Sequence, residues 1–127
     1  GGATRTLRIV GGLLGHWSVW TRAAVELQAR CAEAARGGAI PADLLALDAA
    51  VTEMNAAVFD VANGFHGVIA GCHEVLRRQG LLENIWCLGP EEGLSPGQAE
   101  LLTAVAARYP GLTDDDFVRD NLRRWLS

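Results

Sequence analysis

Apolar residues recur at alternating steps of four and three between Ile40 and Ala62, and this spacing predicts an amphipathic helix. The predicted inner face consists of Ile40, Leu44, Leu47, Val51, Met54, Val58 and Val61. The face expected in water consists of Asp43, Asp48, Thr52, Glu53 and Asp60. After a break at Asn63-Gly64, a second helical stripe carries Phe65, Val68, Ile69, Cys72, Val75 and Leu76. Gly80 is placed to end this helix, so a helical hairpin is expected over residues 40–82.

Three further helices are predicted on either side of this hairpin. The first runs from Thr21 to Arg36, ends at Gly37-Gly38, and has an inner stripe of Ala23, Ala24, Leu27, Cys31 and Ala34. The second starts at Ser95-Pro96-Gly97-Gln98, with serine as the cap and glutamine reaching back to it, and stops at Pro110-Gly111. The last begins at Thr113, with Asp116 in the capping-box position.

The N-terminal region has a different pattern. Thr6 to Val10 alternates polar and apolar residues and is rich in β-branched types, which predicts a short strand. His16 to Trp20 is either a second short strand or the start of the first helix. Residues 83–94 are expected to cross the helices as an irregular segment. The chain is therefore predicted to be one domain, residues 1–127, that is mainly α, with about five helices and one or two short N-terminal strands.

Composition and charge exclude several classes of function. The formal net charge is −4, whereas nucleic-acid binders usually carry an excess of basic residues, so we expect no nucleic-acid partner. No apolar run reaches the length needed to cross a bilayer, so no membrane partner is expected. All 11 basic residues are arginine, and a reaction that needs a lysine amine cannot be carried by this chain alone. Gly1 stands where an initiator methionine would, which suggests either a trimmed chain or a piece of a longer one.

Cysteine usage favours a reducing, cytoplasmic setting. Cys31, Cys72 and Cys87 are odd in number and contain no Cys-x-x-Cys pair, which argues against a disulfide framework or a zinc knuckle. Cys31 and Cys72 fall on predicted apolar helix faces, where a free cysteine behaves as a small hydrophobic residue.

Several polar groups are candidate metal, catalytic or anion-binding sites, and each also has a structural interpretation. His66 and His73 would face the same way on one helix, but no further metal ligands stand at a recognised spacing. The acidic pair Glu91-Glu92 is expected in a turn. The aspartates Asp114–Asp116 are expected in the first turn of a helix, where the helix dipole favours negative charge. The pairs Arg77-Arg78 and Arg123-Arg124 suit helix C-termini, although each could clamp a carboxylate or phosphate. We therefore expect no metal, no cofactor and no catalytic residue in this chain.

Two other features concern packing and binding. Gly67 and Gly71 stand four residues apart and predict a smooth strip where another helix approaches closely. The stretch His16-Trp17-Ser18-Val19-Trp20 follows a glycine-flanked turn and could line a pocket, make an oligomer contact or pack in the core. The candidate substrate-pocket residues are Trp17 and His16.

Residues 15–102 resemble the C-terminal part of the dihydrodipicolinate synthase / N-acetylneuraminate lyase family. The phrases that carry the resemblance are, in order, Gly15-His16-Trp17-Ser18-Val19, Gly37-Gly38, Asn55-Ala56-Ala57-Val58-Phe59, Leu76-Arg77-Arg78-Gln79-Gly80-Leu81 and Leu94-Ser95-Pro96. In this family a glycine-led last barrel strand runs into a helix, and three further helices follow. Residues 1–20 would then be a residual barrel-strand region, and residues 21–127 the C-terminal helical region.

The resemblance implies a (β/α)₈ barrel and a class I aldolase or lyase that binds a 2-keto acid as a Schiff base on a barrel lysine. It also implies a homo-oligomer, or an N-terminal barrel portion, as the partner of this chain. Trp17 stands where the family has an aliphatic residue near the substrate pocket, and the family's lysine and catalytic tyrosine have no counterpart here. The competing interpretation is a stand-alone helical binding or dimerisation module without catalysis, motivated by Trp17, Trp20 and Trp86, which are expected to be exposed aromatic residues.

Overall fold

The computed structural model describes residues 4–12 and 15–127, apart from the side chain of His16, and this part of the chain is mainly helical. Its five α-helices are α1 (Thr21–Gly37), α2 (Ala42–Val58), α3 (Val68–Arg78), α4 (Gln98–Arg108) and α5 (Asp115–Trp125). Three short 3₁₀ helices span Gly15–Ser18, Val61–Asn63 and Pro110–Leu112. None of the helices described is long and apolar enough to cross a membrane.

The core forms where α2 packs against α3 and α4. Its buried residues are Val19, Trp20, Met54, Ala57, Val58, Val75, Leu102 and Val105. These side chains come from four separate stretches of the chain, and the two helices of the predicted hairpin share the core with α4 and with Val19 and Trp20. Trp20 is only 3% exposed, which corrects its assignment as an exposed aromatic residue.

The apolar stripe predicted over residues 40–62 fails at both ends, since Ile40 and Val61, which is 47% exposed, lie outside α2. Met54 and Val58 are fully buried, whereas Ile40 precedes the helix and is 73% exposed. Asp60 was predicted to face water but is only 2% exposed. The reason is that α2 ends at Val58, so Asp60 no longer follows the helical period and instead adopts a left-handed conformation at φ 56°.

The N-terminal strands are not seen in residues 4–12 or 15–20. Residues 4–12, the N-terminal arm, have no regular secondary structure, and Gly15–Ser18 is a 3₁₀ helix. A strand needs a neighbouring strand for its backbone hydrogen bonds, and the described residues supply none. The arm instead lies along α1, where Arg8 Nη1 donates to the Ala35 carbonyl at 3.2 Å and Gln28 Nε2 donates to the Val10 carbonyl at 3.1 Å.

The helix ends follow the predicted capping only in part. Gln98 Oε1 accepts a hydrogen bond from the Ser95 N–H at 3.1 Å, as predicted, but α4 begins at Gln98 and not at Ser95. In α5 the N-cap is Asp114, and Asp116 pairs with Arg119 at 2.7 Å instead of closing a capping box. Gly38 and Gly80 both adopt positive φ directly after their helices, as expected of C-terminal glycines.

The start of α1 is capped by a residue from the far end of the chain. Trp20, the N-cap, makes no side-chain cap hydrogen bond. Asp114 Oδ2 accepts from the Arg22 N–H at 3.0 Å, and its Oδ1 accepts from Gln79 Nε2 at 2.8 Å. One carboxylate therefore joins the start of α1 to the end of α3 and the start of α5.

Replacing Asp114 by alanine is expected to lower the free energy of unfolding by about 1–3 kcal/mol, because two donors then lose a largely buried acceptor. Urea denaturation followed by far-UV circular dichroism measures this loss. Asp116→Ala is the matched control, since its side chain is 86% exposed and the loss there should stay below about 1 kcal/mol. Equal losses for the two variants would contradict the bridging role of Asp114.

Candidate binding groove at Trp17

Trp17 lies in the Gly15–Ser18 turn and is half-buried between the N-terminal arm and α1. The turn is held by two hydrogen bonds, from Ser18 Oγ to the Gly15 carbonyl at 2.6 Å and from Thr21 Oγ1 to the Trp17 carbonyl at 2.8 Å. The arm passes close to the indole: a Cβ placed on Gly12 would lie 3.0 Å from the Trp17 ring. Glycine at this position therefore lets the backbone approach the aromatic face.

A groove of about 500 Å³ runs along this indole. We call it the Trp17 groove; its walls include Ile9, Trp17, Leu27, Gln28, Cys31 and Val51. A smaller pocket of about 210 Å³ shares Gly11, Gly12 and Trp17 with it. The site thus lies between the arm, one side of α1 from Ala24 to Ala35, and the middle of α2.

The groove has the chemistry of an apolar binding surface. Among the described residues no charged side chain lines it, and the amide of Gln28 already donates to the Val10 carbonyl. The carboxylate of a small 2-keto acid is bound most strongly by a cationic side chain, and the described residues of this wall supply only neutral donors. The structure therefore brings Trp17 to a groove that fits an apolar group, while the side chain of His16 lies outside the described residues.

The two other histidines do not share a helix. α3 begins at Val68, so His66 lies in the preceding turn and is exposed, which corrects the prediction that His66 and His73 face the same way. His73 is on α3, and its Nδ1 is buried without a hydrogen-bond partner. Within residues 4–12 and 15–127, no group of three histidine, cysteine or acidic side chains is placed to hold a metal ion.

The Arg77-Arg78 pair is occupied by an internal carboxylate. Glu74, only 4% exposed, accepts from Arg77 Nε at 2.6 Å and from Arg78 Nε at 2.7 Å. The hydrogen bond from Arg77 lowers the pKa of Glu74 and outweighs the opposing effect of burial, and Arg78 lowers that pKa further. Arg78 also donates to the Ala99 carbonyl on α4, so this pair fixes α3 to α4 and is not an open anion clamp.

Two of the cysteines have different surroundings. Cys31 is exposed and lines the Trp17 groove, although it was expected on a buried face. Cys72 is half-buried; burial raises the pKa of its thiol, and a hydrogen bond with Ser18 opposes that shift only in part. Cys72 packs against the core, as expected of a small hydrophobic residue on an apolar helix face.

A buried polar cluster that the sequence did not predict surrounds Asp60. Asp60 Oδ2 accepts from Ser95 Oγ at 2.5 Å and from the Gly67 N–H at 2.9 Å, and Oδ1 accepts from Asn63 Nδ2 at 2.7 Å. Burial by itself raises the pKa of Asp60. The hydrogen bonds from Asn63, Ser95 and Gly67, together with His66, lower that pKa by more. The carboxylate is therefore held as an anion inside the fold.

The strip formed by Gly67 and Gly71 is confirmed as a site of close approach. A Cβ on Gly71 would overlap the Val58 carbonyl oxygen, and one on Gly67 would overlap Oε1 of Gln98. The end of α2 and the start of α4 therefore both reach the α3 backbone at these two positions.

Comparisons of this chain with known protein families, with curated proteins and with solved structures found no match.

Proposed function

We propose that this chain is the C-terminal helical portion of an aldolase/lyase-type protein, in which it buttresses a barrel and supplies an oligomer contact. The observation that supports this proposal is the N-terminal arm. Leu7, Ile9 and Val10 are 91%, 98% and 84% exposed, and residues 4–10 make no backbone–backbone hydrogen bond with other described residues. In this proposal the strand region of the barrel is represented by residues 1–20, and α1 is the helix that follows it.

The physical argument is that such a segment gains from a neighbouring strand. Each exposed aliphatic side chain contributes about 1.5–3 kcal/mol when it is fully buried. Strand pairing also satisfies backbone donors and acceptors that water otherwise solvates. In the proposed assembly the arm pairs with barrel strands, and the helices behind it stay packed as they are here. A cytoplasmic setting is part of this proposal.

The carbon–carbon lyase chemistry proposed for the complete protein does not reside in these residues. A Schiff base with a 2-keto acid needs a side-chain amine, and the chain contains no lysine. Borohydride reduction in the presence of pyruvate should therefore leave no adduct on any side chain of this chain. A mass increase mapped to one of these side chains would contradict the proposal.

A second candidate function is a stand-alone binding or dimerisation module. The Trp17 groove favours it, because the described residues that line the groove are mostly apolar and none is charged. Trp86 and Leu88, which are 55% and 103% exposed, add apolar surface outside the core. Such a module would bind an apolar partner without any catalytic step.

Light scattering separates the two functions. If the arm is a strand that lacks its neighbours, the chain should give a mass that rises with concentration, and Leu7→Ser with Ile9→Ser should return it to a monomer. Leu88→Ser is the control, since it removes an equally exposed leucine far along the chain and should leave the association unchanged. One defined species at every concentration, unaffected by the arm substitutions, would favour the module.

A further inference from the structure

The start of α4 is attached to the turn between α2 and α3 by a hydrogen-bonded set of polar groups, three of them buried side chains. We call this set the Asp60 clasp; it consists of Asp60, Asn63, Gly67, Ser95 and Gln98. Asp60, Ser95 and Gln98 are 2%, 7% and 1% exposed. Since Ser95 and Gln98 lie more than thirty residues after Asp60, their hydrogen bonds are tertiary contacts between two parts of the chain.

Gln98 forms the second half of the clasp. Its Nε2 donates to the Gly67 carbonyl at 3.0 Å, with the Val58 and Ala57 carbonyls at 3.3 Å. Its Oε1 accepts from the Ser95 N–H, so the amide orients the serine whose hydroxyl reaches Asp60. The carbonyls left free at the end of α2 thus gain a partner from α4.

We propose that the Asp60 clasp is an acid-operated release, in which neutralising Asp60 frees residues 95–101 from the α2–α3 turn. Oδ2 accepts from two donors at once, Ser95 Oγ and the Gly67 N–H. A proton placed on that oxygen removes the charge that strengthens both hydrogen bonds. A proton on Oδ1 removes the same charge and competes with the Asn63 amide.

The release is local because the rest of α4 is held in the core. Leu102 and Val105 are buried against α2 and Arg78 holds the Ala99 carbonyl to α3, whereas Ser95 and Gln98 reach the α2–α3 turn through the clasp. The titratable group that faces Asp60 among the described residues is His66, and its positive charge favours the anion. Asn63, Ser95 and Gln98 do not titrate in this range, so protonation of Asp60 itself triggers the release.

The pH range follows from the sign of the shift. The pKa of Asp60 in the folded chain lies below its usual value of 3.8, so the anion stabilises the closed clasp above that pH. The stabilisation is lost as pH falls through the folded pKa, so the release should occur below pH 3.8.

Hydrogen exchange of the whole chain at pH 7 tests the proposal with Asp60→Asn. Asparagine tolerates the left-handed backbone at this position, and it removes the charge while keeping the shape. The amides of Gly67, Gln98 and Leu101 should exchange about tenfold faster, and those of α1 should stay unchanged. Asp48→Asn, the same substitution at an exposed position of α2, should change neither set.

The unaltered protein provides the second measurement. With intrinsic exchange rates corrected for pH, residues 95–101 should lose protection on acidification before α1 does. Simultaneous loss in all helices would overturn the proposal, whether it occurs on acidification or in Asp60→Asn. An Asp60→Asn chain that does not fold at pH 7, or one with unchanged exchange, would overturn it as well.

Discussion

Gly71→Ala is expected to lower the free energy of unfolding by about 3 kcal/mol, at the upper end of the usual cost of overpacking. Alanine at an ordinary helical position would instead stabilise by up to about 1 kcal/mol relative to glycine. The sign reverses here because the new methyl group would overlap the Val58 carbonyl oxygen and lie 2.6 Å from Nε2 of Gln98. A backbone oxygen cannot move aside without shifting the end of α2.

Gly37→Ala provides the control for this prediction. Gly37 is the last residue of α1, and a Cβ there would meet no atom within 4 Å. Its substitution should be neutral or slightly stabilising, within about 1 kcal/mol. Urea denaturation of the two variants under the same conditions gives the difference directly. If Gly71→Ala is as stable as Gly37→Ala, the helices do not approach as closely as described.

The helices could be predicted from the sequence because their apolar periods are regular and their ends carry glycine or proline. The start of α1 at Thr21, the end of α3 near Gly80 and the stop of α4 at Tyr109 follow from these local signals. The strand predicted at Thr6–Val10 has the correct alternation, but alternation does not provide a neighbouring strand. The same residues therefore form an arm without regular secondary structure that lies along α1.

The buried polar groups could not be predicted in the same way. Asp60 fits the water-facing side of α2 as long as the helix is assumed to continue past Val58. Its burial depends on Ser95, thirty-five residues away, and no local pattern joins the two. Asp114 presents the same difficulty, because three consecutive aspartates suggest one solvated helix start, yet the first of them caps α1 through Arg22.

The candidate site was located only in part by the sequence. The stretch with Trp17 and Trp20 was predicted to line a pocket, to make an oligomer contact or to pack in the core. In the structure the two tryptophans have different surroundings. Trp17 lines the groove beside α1, whereas Trp20 adopts φ 51° and is buried in the core. The two residues between them, Ser18 and Val19, lie where the 3₁₀ turn ends ahead of α1, and a strand or helix period does not anticipate this break.

Leu102→Ala is expected to cost about 3–4 kcal/mol of unfolding free energy, within the usual range for a buried leucine. Leu102 is 1% exposed and belongs to the core cluster with Met54, Val58 and Val105. Truncation removes its transfer free energy and leaves a cavity between α2 and α4, which are the most closely associated pair of helices. Because the Asp60 clasp joins the same two helices at their ends, little relaxation can fill that cavity.

The neighbouring residue supplies the control for this cavity. Leu101 lies on the same helix but is 48% exposed, so Leu101→Ala should cost less than about 1 kcal/mol. Chemical denaturation should thus show a midpoint well below that of the unaltered chain for Leu102→Ala and a nearly unchanged one for Leu101→Ala. Reversed or equal midpoints would mean that α4 presents a different face to α2. The core packing and the position of the Asp60 clasp would then differ from those described above.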